Sequence, residues 1–272
     1  MLQSPKGLLS EGLEMIKIAN LSIRCVSRPN FDENVFMSFL QENGLQWIQK
    51  GFATDAEHLV EAAGRLCYMS FGLSNQSPRS TSQYIMNLID QGHESVLEHL
   101  NWTFLITGVS RAFTHQLVRH RAGFAYSQLS QQYHDESEAE FVVPIEVKND
   151  PELFSAWQKH IESCLDFYKS SVIDIGKSKS SDSLSKKENM RALRSASRSI
   201  LPNATETKIV VTANARAIRH FLNMRGSIDG DYEMRMVSEG LYKVVSEDAP
   251  ALFQDFKIVN ENTNNAKVIK TQ

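Results

Sequence analysis

Residues 119–133 read RHRAGFAYSQLSQQY, and the rest of the chain is best read outward from them. Arg119, His120 and Arg121 open the stretch. A loop of small, aromatic and hydroxyl residues follows, carrying Ser127, Gln128, Ser130, Gln131 and Gln132. Just upstream, SRAFTHQLV has Phe113 and Leu117 four apart on one apolar face of an expected helix. On a continued helix Gln116, Arg119 and His120 share another face, at i, i+3 and i+4. Two readings of this pattern stand. Arginine forks, backbone N–H groups and hydroxyls together can form an anion site. A solvated basic helix end, favoured by the helix dipole, is the other.

Further out, the chain alternates helices and strands without regular βαβ order. IKIANLSIRCVS (16–27), NWTFLIT (101–107), EFVVP (140–144) and TKIVVTANA (207–215) carry strand-forming residues. Helices are expected over 33–49, over 54–69 with Thr54 and Asp55 as cap candidates, and from Thr81 to a stop at Gly92. The segment from Pro151 to Ile175 is the clearest amphipathic helix, with Leu153, Trp157, Ile161, Cys164, Leu165, Tyr168 and Val172 at three- and four-residue intervals. That stripe reads as core rather than as a cofactor site. Further helices are expected over 188–200, with Arg191, Arg194 and Arg198 along one ridge and Pro202 beyond its end, over Arg216–Met224 and over Tyr232–Glu247. The class is therefore α+β, mixed helices around a central antiparallel-rich sheet, with no internal repeats. One domain is expected over 15–257. Residues 1–14 read as a loose leader (Met15 could serve as an alternative start), GKSKSSDSLSKK at 176–187 as a solvated insertion, and 258–272 as a frayed tail.

Composition narrows the function classes. A chain of 272 residues that is 42% hydrophobic can bury a substantial core. A net charge of −3 argues against a nucleic-acid polymer as partner. Cys25, Cys67 and Cys164 follow no metal or disulfide spacing, which suits a reducing cytoplasm. No apolar run reaches membrane-spanning length, and the N-terminus lacks a signal-peptide core. HESVLEH (93–99) invites a zinc reading, but His93 and His99 are six apart, unlike the i, i+4 pair of a zinc helix, so no metal is expected.

Three blocks carry a resemblance. RHR, SQLSQ and the closing Tyr133 resemble the signature of the flavin-dependent thymidylate synthases: Arg-His-Arg, a short spacer, then a polar run closed by Arg-Tyr. The spacer here is one residue longer, and the penultimate position, which the family uses to hold nucleotide phosphate, is Gln132. HESVLEH is similar to a second family segment, and SRSILPNATETKIVVTANARAIRHFLNMRGS (197–227) to a third. The likeness runs over about 80–256, interrupted by the insertion.

The resemblance implies roles for particular residues. Ser95, Glu98, Arg119, His120, Arg121, Gln128, Asn214, Arg216 and His220 match flavin-binding positions. Gln116, Arg119, Gln128, Leu129, Ser130, Gln131, Gln132 and Arg198 match positions around the nucleotide. Arg225 matches the arginine set against the uracil ring, where a fixed guanidinium stabilises negative charge on the pyrimidine. An ion pair with Asp231 or Glu233 is the plain structural reading of Arg225. Family members commonly have His four residues later, where this chain has Asp229, a charge that would repel phosphate if it points inward.

The implied activity is FAD-dependent reductive methylation of dUMP to dTMP with methylenetetrahydrofolate and NADPH, by a cytoplasmic homotetramer with active sites shared between subunits. No cysteine here sits among activating His, Lys or a helix start, which accords with a flavin route rather than a cysteine nucleophile. Gln132 and Asp229 keep two other readings open: methylation of a related pyrimidine nucleotide such as UMP, or a nucleotide-binding paralogue without catalysis.

Overall fold

The computed structural model describes residues 16–72, 80–178 and 185–271. The expected leader lies outside them, as do residues 179–184 of the expected insertion. The chain begins with β1 (Lys17–Ile18) and β2 (Ser22–Ser27), two strands where one was expected. β1 instead pairs in parallel with a short strand further on, Glu140–Phe141. α1 (Glu33–Glu42) stops seven residues before the expected end, because Gly44 takes a left-handed φ of +65°. α2 (Asp55–Cys67) opens on a capping box: Thr54 receives the Glu57 N–H and Glu57 receives the Thr54 N–H. α3 (Thr81–Asp90) opens on the same device, Ser80 with Gln83. Glu94–His99 is a 3-10 turn rather than an α-helix.

β3 (Asn101–Ser110) is the spine of the molecule. It leads through Ser110, whose hydroxyl accepts from the Phe113 N–H, into α4 (Arg111–Leu117). The segment expected to loop out beyond Arg121 forms β4 (Phe124–Gln128) instead. Alternation explains it: Phe124, Tyr126 and Gln128 are half-buried while Ala125 and Ser127 are exposed. Next come β5 (Glu140–Phe141), α5 (Ile145–Lys148), the long α6 (Pro151–Ser178) and α7 (Lys186–Ser197), which a 3-10 turn extends through Ile200. The helices thus run into the expected insertion from both sides. β6 (Glu206–Asn214) passes directly into α8 (Ala215–Arg225), followed by α9 (Tyr232–Asp248) and α10 (Pro250–Phe253). The frayed tail expected at 258–272 is replaced by a hairpin of β7 (Phe256–Val259) and β8 (Lys267–Lys270). Its Val268 is buried against the core, and the Val268 N–H donates to the Gly226 carbonyl just past the end of α8.

The central sheet is antiparallel throughout, in the order β2-β3-β6-β4. Trp102, Phe104 and Ile106 of β3 and Ile209, Val211 and Ala213 of β6 are buried in one core with Ile218, Phe221 and Leu222 of α8 and Val237 and Leu241 of α9. Each large apolar side chain removed from water there stabilises the fold by roughly 1.5–3 kcal/mol. The middle of the amphipathic stripe of α6 is core as expected, with Ile161 and Leu165 packed against Phe141 and Tyr168 buried, whereas Leu153 at its start is exposed. Arg219 anchors α8 from below, forming a two-point ion pair with Asp255 at 2.7 Å per contact and donating also to the Leu252 carbonyl. The packing thus holds α8, with the end of β6 leading into it, rigidly under the loops that carry the motif residues.

Candidate functional site

Three stretches far apart in sequence meet around α8. Arg216 sits in its first turn and donates to Glu98 at 2.7 Å, with Glu94 at 3.4 Å, which ties the 3-10 turn to the helix. Asn214 caps α8 by accepting the Ala217 N–H at 2.8 Å, and its own N–H donates to the Gly123 carbonyl at 3.1 Å. Gly123 has φ +74°, and a Cβ there would stand 2.7 Å from the Asn214 side chain and 2.8 Å from Ala217. Glycine is what allows the Arg119–Arg121 turn to lie this close to the helix. At the last turn of α8, Arg225 Nε donates to His120 Nε2 at 3.0 Å.

That hydrogen bond places the neutral imidazole's proton on Nδ1. Burial, the Arg225 charge and His220 together push the His120 pKa below its ordinary value, which keeps the ring an acceptor. The ring packs edge-on against Phe221 at 5.0 Å and lies 6.2 Å from His220. Tyr126 holds the turn from below: its hydroxyl lies 2.6 Å from the His120 carbonyl and 3.0 Å from that of Leu117. Burial raises its pKa, so the phenol keeps the proton it donates. α4 ends at Leu117, so Arg119 and His120 are turn residues and the helical face shared with Gln116 does not form. Arg119, Arg121, Ser95, Glu98, Arg216 and His220 are all exposed around this junction.

The residues expected around the nucleotide divide into two groups. Gln116, Arg119 and Arg225 lie by the junction. Leu129, Ser130, Gln131, Gln132 and Arg198 lie past the other end of β4, roughly 17 Å away for five residues of strand. The Gln128 amide nitrogen donates to Thr114 at 3.0 Å and Thr207 at 3.3 Å, which leaves its carbonyl oxygen to meet a ligand. Arg225 does not pair with Asp231 or Glu233. Asp231 caps α9 and accepts from Gln116 at 2.9 Å, while Glu233 takes both the N–H and the hydroxyl of Ser110 at 2.6 Å. Burial raises the Glu233 pKa. Asp229 points outward, 91% exposed and paired with Lys267 at 2.8 Å, so the expected inward repulsion has no basis in this chain.

Sequence reading missed several residues of the site. Arg111 donates to the Leu129 carbonyl at 2.8 Å, and Arg194 donates to the Tyr133 carbonyl at 2.6 Å. Tyr126 and Gly123 were passed over inside an expected loop; the period-two alternation from Phe124 was the available signal. A cavity of about 800 Å³ lies elsewhere, lined by residues of 18–21, by Val142–Glu146 and by Asp231–Glu233. It includes none of the expected site residues.

Comparison with known proteins gives a consistent result. A family model described as thymidylate synthase complementing protein matches residues 51–251. The flavin-dependent thymidylate synthase of Mycobacterium avium (strain 104) is 39% identical over 250 residues, 90% of this chain and 93% of its own. That of Mycolicibacterium gilvum (strain PYR-GCK) is 38% identical with the same coverage. Among solved structures, the UMP/dUMP methylase PolB from Streptomyces cacaoi bound with 5-Br UMP superposes with a TM-score of 0.62 at 18% identity, over 88% of this chain and 95% of that one. At that identity the likeness bears on the fold alone.

Proposed function

This chain belongs to the flavin-dependent thymidylate synthase family, and from that premise we propose that it converts dUMP to dTMP with FAD, methylenetetrahydrofolate and NADPH. The observation that carries the reading is the convergence of Glu98, Arg119–Arg121, Asn214–Arg216 and Arg225 on one helix, α8, from three parts of the chain. The residues fit a flavin dinucleotide. Exposed Arg119, Arg121 and His220 offer donors for a diphosphate, and Gly123 lets the turn that carries the two arginines lie directly against α8. A flavin held by these residues would supply the hydride chemistry needed to complete a methyl group from the one-carbon unit of the folate, with the nicotinamide as the ultimate reductant.

The chain's own residues then have distinct tasks. Arg225, held at Nε by His120, keeps its two terminal nitrogens for a pyrimidine, where they stabilise negative charge as carbon 5 becomes nucleophilic. His120 fixes the direction of that guanidinium. Glu98 and Glu94 hold Arg216 in place. Ser130 and Arg198 hold the nucleotide phosphate. The length of β4 between Arg225 and Arg198 supports a site completed by a second copy of the chain, in a homotetramer. β4 is an edge strand, and no helix among the described residues is long and apolar enough to cross a membrane. The cytoplasm is the compartment this reading carries.

The test is anaerobic turnover of the purified protein with FAD, NADPH, methylenetetrahydrofolate and dUMP, with UMP in parallel. Formation of dTMP is expected. Oxidation of NADPH with methylation of UMP alone would overturn the choice of dUMP, and absence of bound flavin would overturn the reading altogether.

A further inference from the structure

Position 132 lacks the arginine that the family sets against nucleotide phosphate, and the structure offers a replacement from a different element. Arg194 of α7 donates to the main-chain carbonyl of Tyr133, the residue beside Gln132, at 2.6 Å. Arg191, one turn earlier, lies with its guanidinium 4.8 Å from the Tyr133 ring centroid. Both are half-buried, so their aliphatic stems are packed and their heads confined to the neighbourhood of Ser130–Tyr133. The same neighbourhood holds an excess of unanswered donors. Nε of Arg191, Nε of Arg194, Nε of Arg111 and Nε2 of Gln131 are all buried without a hydrogen-bond partner among the described residues. Gln131 is only 7% exposed. Leaving one such donor unmatched costs roughly 1–3 kcal/mol, so a cluster of them favours an acceptor with several oxygens at this place.

The charges agree. Arg111, Arg191, Arg194 and Arg198 supply four positive charges; burial chiefly lowers the Arg111 pKa, and the nearby Arg198 charge adds to that. The carboxylates that face them are Asp135 toward Arg194, Glu136 toward Arg111 and Glu188 toward Arg191. Burial raises the pKa of Glu136. A compact dianion with oxygens on every side matches this setting.

We propose that Arg191 and Arg194 of α7 bind the phosphate of the nucleotide in this chain, supplying the positive charge that Gln132 does not. The assignment of the phosphate end to this region rests on the function proposed above; the use of α7 for it does not follow from that function. A phosphate gripped from α7 leaves the 129–133 segment to contribute the Ser130 hydroxyl rather than a charge, since the N–H groups of Leu129, Gln132 and Tyr133 already donate to Lys208 and Ser130.

The experiment is titration of the flavin-loaded full chain with dUMP, with deoxyuridine and with inorganic phosphate. It compares the wild type, Arg191→Gln, Arg194→Gln, the double variant, and the double variant carrying Gln132→Arg. Each single change is expected to weaken dUMP and phosphate binding ~10–100-fold, the range of one charge-assisted hydrogen bond, and to leave deoxyuridine binding unchanged. Gln132→Arg should recover most of the loss in the double variant and give a smaller gain in the wild type. Arg191→Lys/Arg194→Lys keeps the charge and guards against a variant that fails to fold; it should retain dUMP binding better than the double glutamine change. If dUMP and phosphate bind as well to the double glutamine variant as to the wild type, the α7 assignment is wrong. If phosphate binding is lost in that variant while dUMP never binds the wild type, α7 holds an anion and the proposed substrate is wrong.

Discussion

Gly123 is where the fold and the proposed flavin site depend on one backbone conformation, and Gly123→Ala tests that dependence quantitatively. The residue has φ +74°, a region where a Cβ costs about 1–2 kcal/mol. The added methyl would also stand 2.7 Å from Asn214 Nδ2 and 2.8 Å from the Ala217 Cβ, so the side chain capping α8 must shift. Loss of an Asn cap costs roughly 0.5–2 kcal/mol. The sum is about 1.5–4 kcal/mol. Gly44→Ala provides the control, since Gly44 has φ +65° but nothing within 4 Å of the would-be Cβ. Only the backbone cost applies there, about 1–2 kcal/mol. Urea unfolding of both variants measures these losses, and flavin titration by fluorescence quenching measures the consequence for the site. Gly44→Ala should bind flavin as the wild type does. Gly123→Ala should lose about twice as much stability and bind flavin more weakly, because Arg216 follows Asn214 in the displaced turn. Equal stability losses in the two variants, with flavin affinity intact, would refute the account of Gly123 as the close contact between the turn and α8.

Three further outcomes rest on the same geometry. His120 has a lowered pKa in the folded chain, so its contribution to stability is complete above its unfolded pKa of about 6.5 and is lost as pH falls through the lower folded value. Melting temperature measured between about pH 5 and 8 should therefore fall on the acid side in the wild type, and His120→Asn should flatten that slope. Asp229→His should leave stability and dUMP affinity unchanged, because Asp229 points into solvent beside Lys267; a gain in affinity would show that its charge reaches the nucleotide. Arg219→Met leaves the buried Asp255 with only the longer ion pair to Lys270 at 3.7 Å and should cost roughly 3–5 kcal/mol in denaturant unfolding, whereas Arg219→Met/Asp255→Leu should recover much of it.

Several features were legible from the residues before any coordinates. Periodicity located every long helix, because a stripe such as Ile161, Leu165 and Tyr168 can be buried only one way. The cap candidate Thr54 is local by nature and does open α2, whereas the Ser80–Gln83 capping box, equally local, is missed by the sequence reading. The α+β class came from the mixture of patterns, and the three motif blocks identified the family. Elements whose stability is not local were harder to see. β4 looks like a loop, since Ala125, Ser127 and Gln128 are not strong strand formers, and it becomes a strand only because β6 offers it a partner from Ile209 to Ala213. The C-terminal hairpin looked frayed because its Asn- and Lys-rich residues say nothing of the core that Phe256 and Val268 reach.

The sequence by itself determined which side chains could carry chemistry and which family they belong to, because those are matters of residue identity at fixed spacing. Only the tertiary structure decided what each of them faces. It turned Asp229 to solvent, bound Gln128 to two threonines, aimed Arg225 at His120 rather than at Asp231, and brought Arg191 and Arg194 beside Tyr133. Most of these pairings join residues that are tens of positions apart or more, and their partners are chosen by how α4, α7, α8 and the sheet pack. Spacing along a chain fixes neighbours on one helix or strand, whereas a charge-assisted contact between elements depends on burial and distance that arise only when the core forms.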